Sequence, residues 1–245
     1  MLKNEREIQI LDLLNEKGYA SVADLSKMLF ASQSSIRRDL TNLEKKGMVR
    51  RSYGGAELIN SKSNILPFST RAYSCVLEKE QIAKKAATLV KDGDVVFLDQ
   101  SSTCYFLAGE LVNKKGITIV TNSLNTLNLL SLTDLKVIST GGVLSREDRS
   151  CLVGEGAEKT YDGIFADIAF FATKSLSADG VISDCTQEEI AVRKIMLKNS
   201  AKKVYLCNSA KFDTKSPYIQ CTLSDIDILI SENNSEKYEK YCEVY

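Results

Sequence analysis

The 245-residue chain has no histidine and no tryptophan, and only two prolines. It also has no apolar run near the roughly 18 residues that a membrane-spanning helix needs. The missing histidine removes the commonest general base, the commonest zinc ligand and the usual partner of a serine or cysteine nucleophile. Scarce proline and the lack of low-complexity stretches argue against a disordered chain. The seven cysteines (75, 104, 151, 185, 207, 221 and 242) show no C-x-x-C spacing, so no zinc ribbon or dithiol redox motif is expected. The opening MLKNEREIQILDLLNEKG is amphipathic and lacks the apolar core of a secretory leader. The thiols are therefore read as reduced, several of them buried, in a cytoplasmic protein. No catalytic residue, metal ligand or cofactor is expected.

The 32 basic and 32 acidic residues cancel, but they are unevenly placed. Between Ala31 and Gly55, six basic residues (Arg37, Arg38, Lys45, Lys46, Arg50 and Arg51) face two acidic ones (Asp39 and Glu44). A local charge of +4 in so short a segment suits a polyanion. The residues around it carry helical periods. Ile8, Leu11 and Leu14, flanked by Ile10 and Leu13, predict a helix from Asn4 to Lys17 closed by Gly18. Ser21, with Asp24 three residues on, predicts a capped second helix burying Val22, Leu25, Met28 and Leu29. Phe30 and Ala31 interrupt the period. Ser32 then caps a third helix that buries Ile36, Leu40 and Leu43 and ends at Gly47, leaving Ser34, Ser35, Arg37, Arg38 and Asn42 on its other faces. Met48 to Ile59 reads as strand, Gly54-Gly55 turn and returning strand, which forms a wing. A basic third helix followed by a wing is a winged helix-turn-helix.

The strings Ser32-Gln33-Ser34-Ser35-Ile36-Arg37-Arg38-Asp39-Leu40, Leu43-Glu44-Lys45-Lys46-Gly47 and Arg51-Ser52-Tyr53-Gly54-Gly55-Ala56 resemble the DNA-binding signature of DeoR-family bacterial regulators. Ser35 stands where that family usually has Thr, and Tyr53 where it usually has His. Within this reading, Ser32 caps the helix and donates to phosphate. Gln33, Ser34, Ser35 and Arg38 are candidates for base edges, and Arg37, Arg50 and Arg51 for phosphates.

Residues 60–75 show no clear period, contain Pro67 and are read as a linker between a reader (1–59) and a larger domain (76–245). After a helix over Lys79 to Lys91, strands and helices alternate: strands at 95–98, 117–120, 136–139, 168–171, 204–207 and 228–230, helices at 103–111, 123–130, 155–161 and 187–199. The alternation predicts an α/β domain with a mainly parallel sheet, covered on both faces. Ligands of such sheets bind beyond the carboxyl ends of the strands. The candidate effector residues stand there in sequence: Asp99, Ser101, Ser102 and Thr103; Thr121 and Asn122; Gly141 and Gly142; then Gly180 and, within Asn208-Ser209-Ala210-Lys211, the cation Lys211. Taken singly, each is an ordinary cap or turn; their serial placement points to a site.

The run Leu98 to Thr103, Thr121-Asn122-Ser123, Gly141-Gly142 and Asn208 to Phe212 is similar to the DeoR-type sensor domain. That resemblance implies a fold shared with ribose-5-phosphate isomerase and CoA-transferase enzymes, and a phosphorylated sugar or similar metabolite as effector. Asn208, Ala210 and the segment Phe171 to Leu176 depart from the family pattern. The function implied is an effector-controlled transcriptional regulator, a repressor of carbohydrate genes, acting on double-stranded operator DNA as a dimer or tetramer. The alternative is a sugar-phosphate isomerase-like enzyme with an appended reader, using Asp99 or Asp179 as base.

Overall fold

In a computed structural model, described for residues 3–45, 48–58, 66–233 and 235–245, the chain divides into two units, Met1–Ser74 and Cys75–Tyr245. Lys46, Gly47, Ile59 and residues 60–65 of the expected linker lie outside the described residues.

The first unit opens with α1 (Lys3–Lys17), then β1 (Tyr19–Ser21), α2 (Val22–Met28), α3 (Gln33–Lys45), β2 (Val49–Ser52), β3 (Gly55–Leu58) and α4 (Phe68–Tyr73). Ser21 caps α2 by accepting the Asp24 amide at 3.0 Å, and Ser32 caps α3 by accepting the Ser35 amide at 3.2 Å. Each satisfies a donor that a helix start leaves open. The core holds Ile10, Leu11, Leu14, Val22, Leu25, Ile36, Leu40 and Leu43. Ile10 thus belongs to the core and not to its flank, whereas Met28 is 39% exposed. Short α2 places its C-terminal residue at the surface, so the apolar spacing overstates its buried face.

The wing hairpin turns at Tyr53-Gly54, one residue earlier than expected, with Ser52 paired to Gly55. Gly54 has φ +76°, which only glycine adopts without strain. Gly55 is required for another reason. β1, unforeseen in the sequence, pairs with β3, and a Cβ at Gly55 would lie 2.3 Å from the Ala20 carbonyl oxygen. The segment 68–73, read as linker, forms a short helix.

The second unit comprises α5 (Val76–Ala87), β4 (Val95–Leu98), α6 (Ser102–Glu110), β5 (Thr118–Thr121), α7 (Leu124–Leu130), β6 (Lys136–Ser139), β7 (Val143–Leu144), β8 (Leu152–Val153), α8 (Glu155–Asp162), β9 (Ala166–Phe171), β10 (Ser175–Leu176), β11 (Val181–Asp184), α9 (Gln187–Lys198), β12 (Ser200–Leu206), β13 (Tyr218–Thr222), β14 (Ile228–Ile230) and β15 (Glu243–Val244). Seven strands form one sheet in the order β15-β14-β12-β9-β4-β5-β6, with every neighbour parallel. Alternate strand residues feed two cores. Leu98, Phe170, Val204 and Leu206 pack with α5 and α6 on one face; Phe97, Phe171, Tyr205 and Cys207 pack with α8 and α9 on the other.

The chain runs outward from β4 through β5 to β6, then returns to β9 on the opposite side of β4. The carboxyl ends of β4 and β9 therefore form the point where the winding direction reverses. Loops diverge at such a point and leave a crevice. A small antiparallel sheet, β10-β11-β13, was not anticipated; its strands are short, and β13 is separated from the other two by α9 and β12.

Candidate functional site

The first site is the surface of the reader. Ile36, Leu40 and Leu43 are buried, which turns Gln33, Ser34, Arg37 and Arg38 outward; all four are exposed, as are Ser32, Arg50 and Arg51, and Ser35 is half-buried. Ser32 Oγ lies 2.9 Å from the hydroxyls of both Ser34 and Ser35, so three hydroxyls gather at the start of α3. Arg37 donates to Gln33 Oε1 at 3.2 Å, and Arg51 to Thr41 Oγ1 at 3.2 Å, which ties the wing to α3.

Two details alter the electrostatic picture. Asp39 does not oppose the basic face: it is 1% exposed and paired with Arg6 of α1. Arg50, in contrast, is bridged by Glu57 directly across the wing at 2.7 Å, so much of its charge is answered within the hairpin. Asn42 turns toward α1, donating to Glu7 Oε1 at 3.4 Å. Among the described residues, the Arg38 guanidinium has no hydrogen-bond or ion-pair partner. It is the cation best placed to accept a new one.

The second site is the carboxyl edge of the large sheet. Asp99, 1% exposed, follows β4 and holds the reversal point together. Its Oδ1 accepts the Ser101 amide at 3.0 Å. Its Oδ2 accepts the Ala172 amide at 3.2 Å, just past the end of β9, and Arg193 Nε at 3.1 Å. Ser101 Oγ caps α6 by accepting the Cys104 amide, and Ser102 and Thr103, both buried, form its first turn. Thr121 Oγ1 accepts the Ser123 amide. Asn122 Nδ2 donates to Gln100 Oε1 at 3.3 Å and to the Leu152 carbonyl at 3.0 Å.

Gly141 and Gly142, both at positive φ, follow β6 at the same edge. A Cβ on Gly142 would lie 2.6 Å from the Val153 carbonyl, so this glycine admits the start of α8. Lys211, half-buried, follows β12, and its amide donates to the Asn208 carbonyl at 3.0 Å. Nine of the ten candidate residues therefore stand at one edge. Gly180 follows no strand of the large sheet: it turns the β10–β11 hairpin against Tyr241 and accepts the Leu223 amide, while its neighbour Asp179 faces Lys215 in the loop after β12.

The sequence reading missed the centre of this edge. Arg193, on α9, is 1% exposed. Around it stand Asp99, Asp184 at 3.2 Å, Glu189 at 3.9 Å and Gln220 Oε1, which accepts from the guanidinium at 3.0 Å. Glu189 in turn accepts Gln100 Nε2 at 2.6 Å, closing a path to Asn122. Burial works against the arginine's charge, but Asp184, Asp99 and Glu189 outweigh it and raise its pKa above that of an ordinary arginine. Glu189 and Arg193 are four residues apart on α9, a spacing that reads as a surface ion pair; only the sheet covering them shows otherwise. Asn208 was also passed over as a ligand: it is 4% exposed, and its Oδ1 has no hydrogen-bond partner.

Residues 6–62 match the DeoR-like helix-turn-helix domain, and residues 74–233 match the DeoR C terminal sensor domain. The chain belongs to the DeoR family of transcriptional regulators. The regulator is 34% identical over 244 residues to the HTH-type transcriptional regulator GolR of Listeria innocua, covering 98% of this chain and 96% of that one. It is 31% identical to the L-fucose operon activator of Haemophilus influenzae, with 98% and 96% covered. It is 28% identical to the glycerol-3-phosphate regulon repressor of Escherichia coli, with 95% and 92% covered. Among solved structures, ribose 5-phosphate isomerase A of Neisseria gonorrhoeae aligns with a TM-score of 0.41 and 18% identity, over 55% of this regulator and 52% of the isomerase. A score that low gives the isomerase likeness no weight.

Proposed function

We propose that this regulator is a repressor of carbohydrate genes, and that a phosphorylated sugar or related metabolite controls it from the carboxyl edge of the large sheet. The observation that carries the reading is the convergence there of the Ser101-capped start of α6, the Asn122 and Gly141 loops, Lys211 and the unpartnered Asn208 oxygen. A helix start and a cation suit a phosphate; amide and hydroxyl groups suit a polyol. Two relatives named for a glycerol-3-phosphate regulon and an L-fucose operon support the ligand class.

This reading gives the edge a binding role and no turnover. Asp99, the base an isomerase would want, already accepts from Ser101, Ala172 and Arg193. Asp179 is exposed and faces Lys215. Among the described residues, no helix is long and apolar enough to cross a membrane, and the reading places the protein in the cytoplasm. We further infer a homo-oligomer, dimer or tetramer, on operator DNA, with paired readers about 34 Å or a multiple apart. Effector binding shifts that spacing by linkage.

The test is a thermal-shift screen of the full chain against glycerol 3-phosphate, ribose 5-phosphate and hexose phosphates, since a ligand raises the melting temperature by mass action. A hit is then repeated on Lys211→Ala. The expected variant binds DNA normally and ignores the hit. A variant that responds at the same concentration removes Lys211 from the site.

A further inference from the structure

Phe30 occupies a position that its side chain opposes twice. Its backbone has φ +49°, the left-handed region that bulky residues avoid. Its side chain is 97% exposed, so no packing within the chain compensates. The cause is the end of α2: after Met28 and the cap residue Leu29, the Ala31 amide reaches back to the Ser26 carbonyl at 3.1 Å. That is a Schellman closure, whose left-handed residue is usually glycine. Ser26 Oγ also donates to the Ala31 carbonyl at 2.6 Å, so the turn is held and the ring cannot fold inward by rearranging it.

The Phe30 Cα lies two residues before that of Ser32, within about 7 Å of it by chain geometry. Phe30 therefore stands exposed in the turn that leads directly into α3, whose first residues carry the Ser32, Ser34 and Ser35 hydroxyls. Strain retained at an exposed residue points to a function outside the folded chain. We propose that Phe30 is an apolar contact of the DNA reader, packing on the deoxyribose edge of the backbone beside the start of α3. Serine hydroxyls and arginines hold phosphates; a ring between them covers the sugar carbons that hydrogen-bonding groups cannot use.

The contact is independent of base sequence and releases no counterions. Both properties are measurable on a short duplex of arbitrary sequence, by anisotropy across a series of salt concentrations with the full chain. Phe30→Gly relieves the strain and removes the ring; Phe30→Ala removes the ring and keeps the strain. Both variants should bind about tenfold more weakly, the loss for roughly 60 Å² of apolar surface at about 25 cal/mol per Å². The slope of log affinity against log salt should stay at the wild-type value, whereas Arg37→Ala should lower it by about one. Phe30→Gly alone should melt higher than wild type. Wild-type DNA affinity in Phe30→Gly overturns the proposal, as does a changed salt slope, or a melting temperature below wild type, which would make the ring part of the reader's packing. Wild-type affinity with a changed oligomeric state would assign the ring to a second copy. The proposal rests on α3 being the reading helix, and Arg38→Ala tests that separately.

Discussion

Replacing Arg193 with methionine removes the one cation from a buried group of three carboxylates. The side chains of Arg193 and Asp99 are both 1% exposed, and those of Asp184 and Glu189 are 11% and 9% exposed. Methionine fills most of the volume, so the cavity contribution is small and the electrostatic one dominates. Breaking a buried pair costs about 3–5 kcal/mol because the remaining charge has neither water nor partner. At about 2 kcal/mol per molar urea for a unit of this size, a loss near 4 kcal/mol lowers the unfolding midpoint of the sensor transition by roughly 2 M, followed by circular dichroism. A midpoint within about 0.3 M of wild type at neutral pH refutes the reasoning.

Arg38→Ala should weaken operator binding by about 1–3 kcal/mol if the unpartnered guanidinium reads a base edge; unchanged affinity at fixed salt excludes it. Gly55→Ala forces a Cβ against the backbone of β1 and should destabilise the reader by about 2 kcal/mol or more, seen as a lower melting transition, whereas a surface glycine such as Gly109, with open space around it, should accept alanine without loss. Burial pushes the thiols of Cys207 and Cys221 up to about 11 and about 12, and that of Cys104 well above its usual value. At pH 8 these three should react with an alkylating reagent only after unfolding, by mass spectrometry of the labelled peptides; fast labelling of native Cys207 contradicts its burial.

The reader was legible in the sequence because its helices are short, capped by Ser21 and Ser32, and patterned by Ile36, Leu40 and Leu43, all of which are local features. The parallel sheet was legible because apolar strands alternate with helices, and its edge because polar residues follow each strand. Residues distant in the chain decided the rest. The sequence spacing of Glu189 and Arg193 describes a surface pair; burial beside Asp99 and Asp184, from other elements, makes them the anchor of the reversal point. Asp39 counts as a charge until Arg6 of another helix meets it. Gly180 has the composition of its candidate companions, yet it turns a hairpin of the small sheet and follows no strand of the large one. Periodicity and caps are set within a few residues, whereas what a charge faces and which end a loop reaches depend on strand order, and that exists only once the chain has closed on itself.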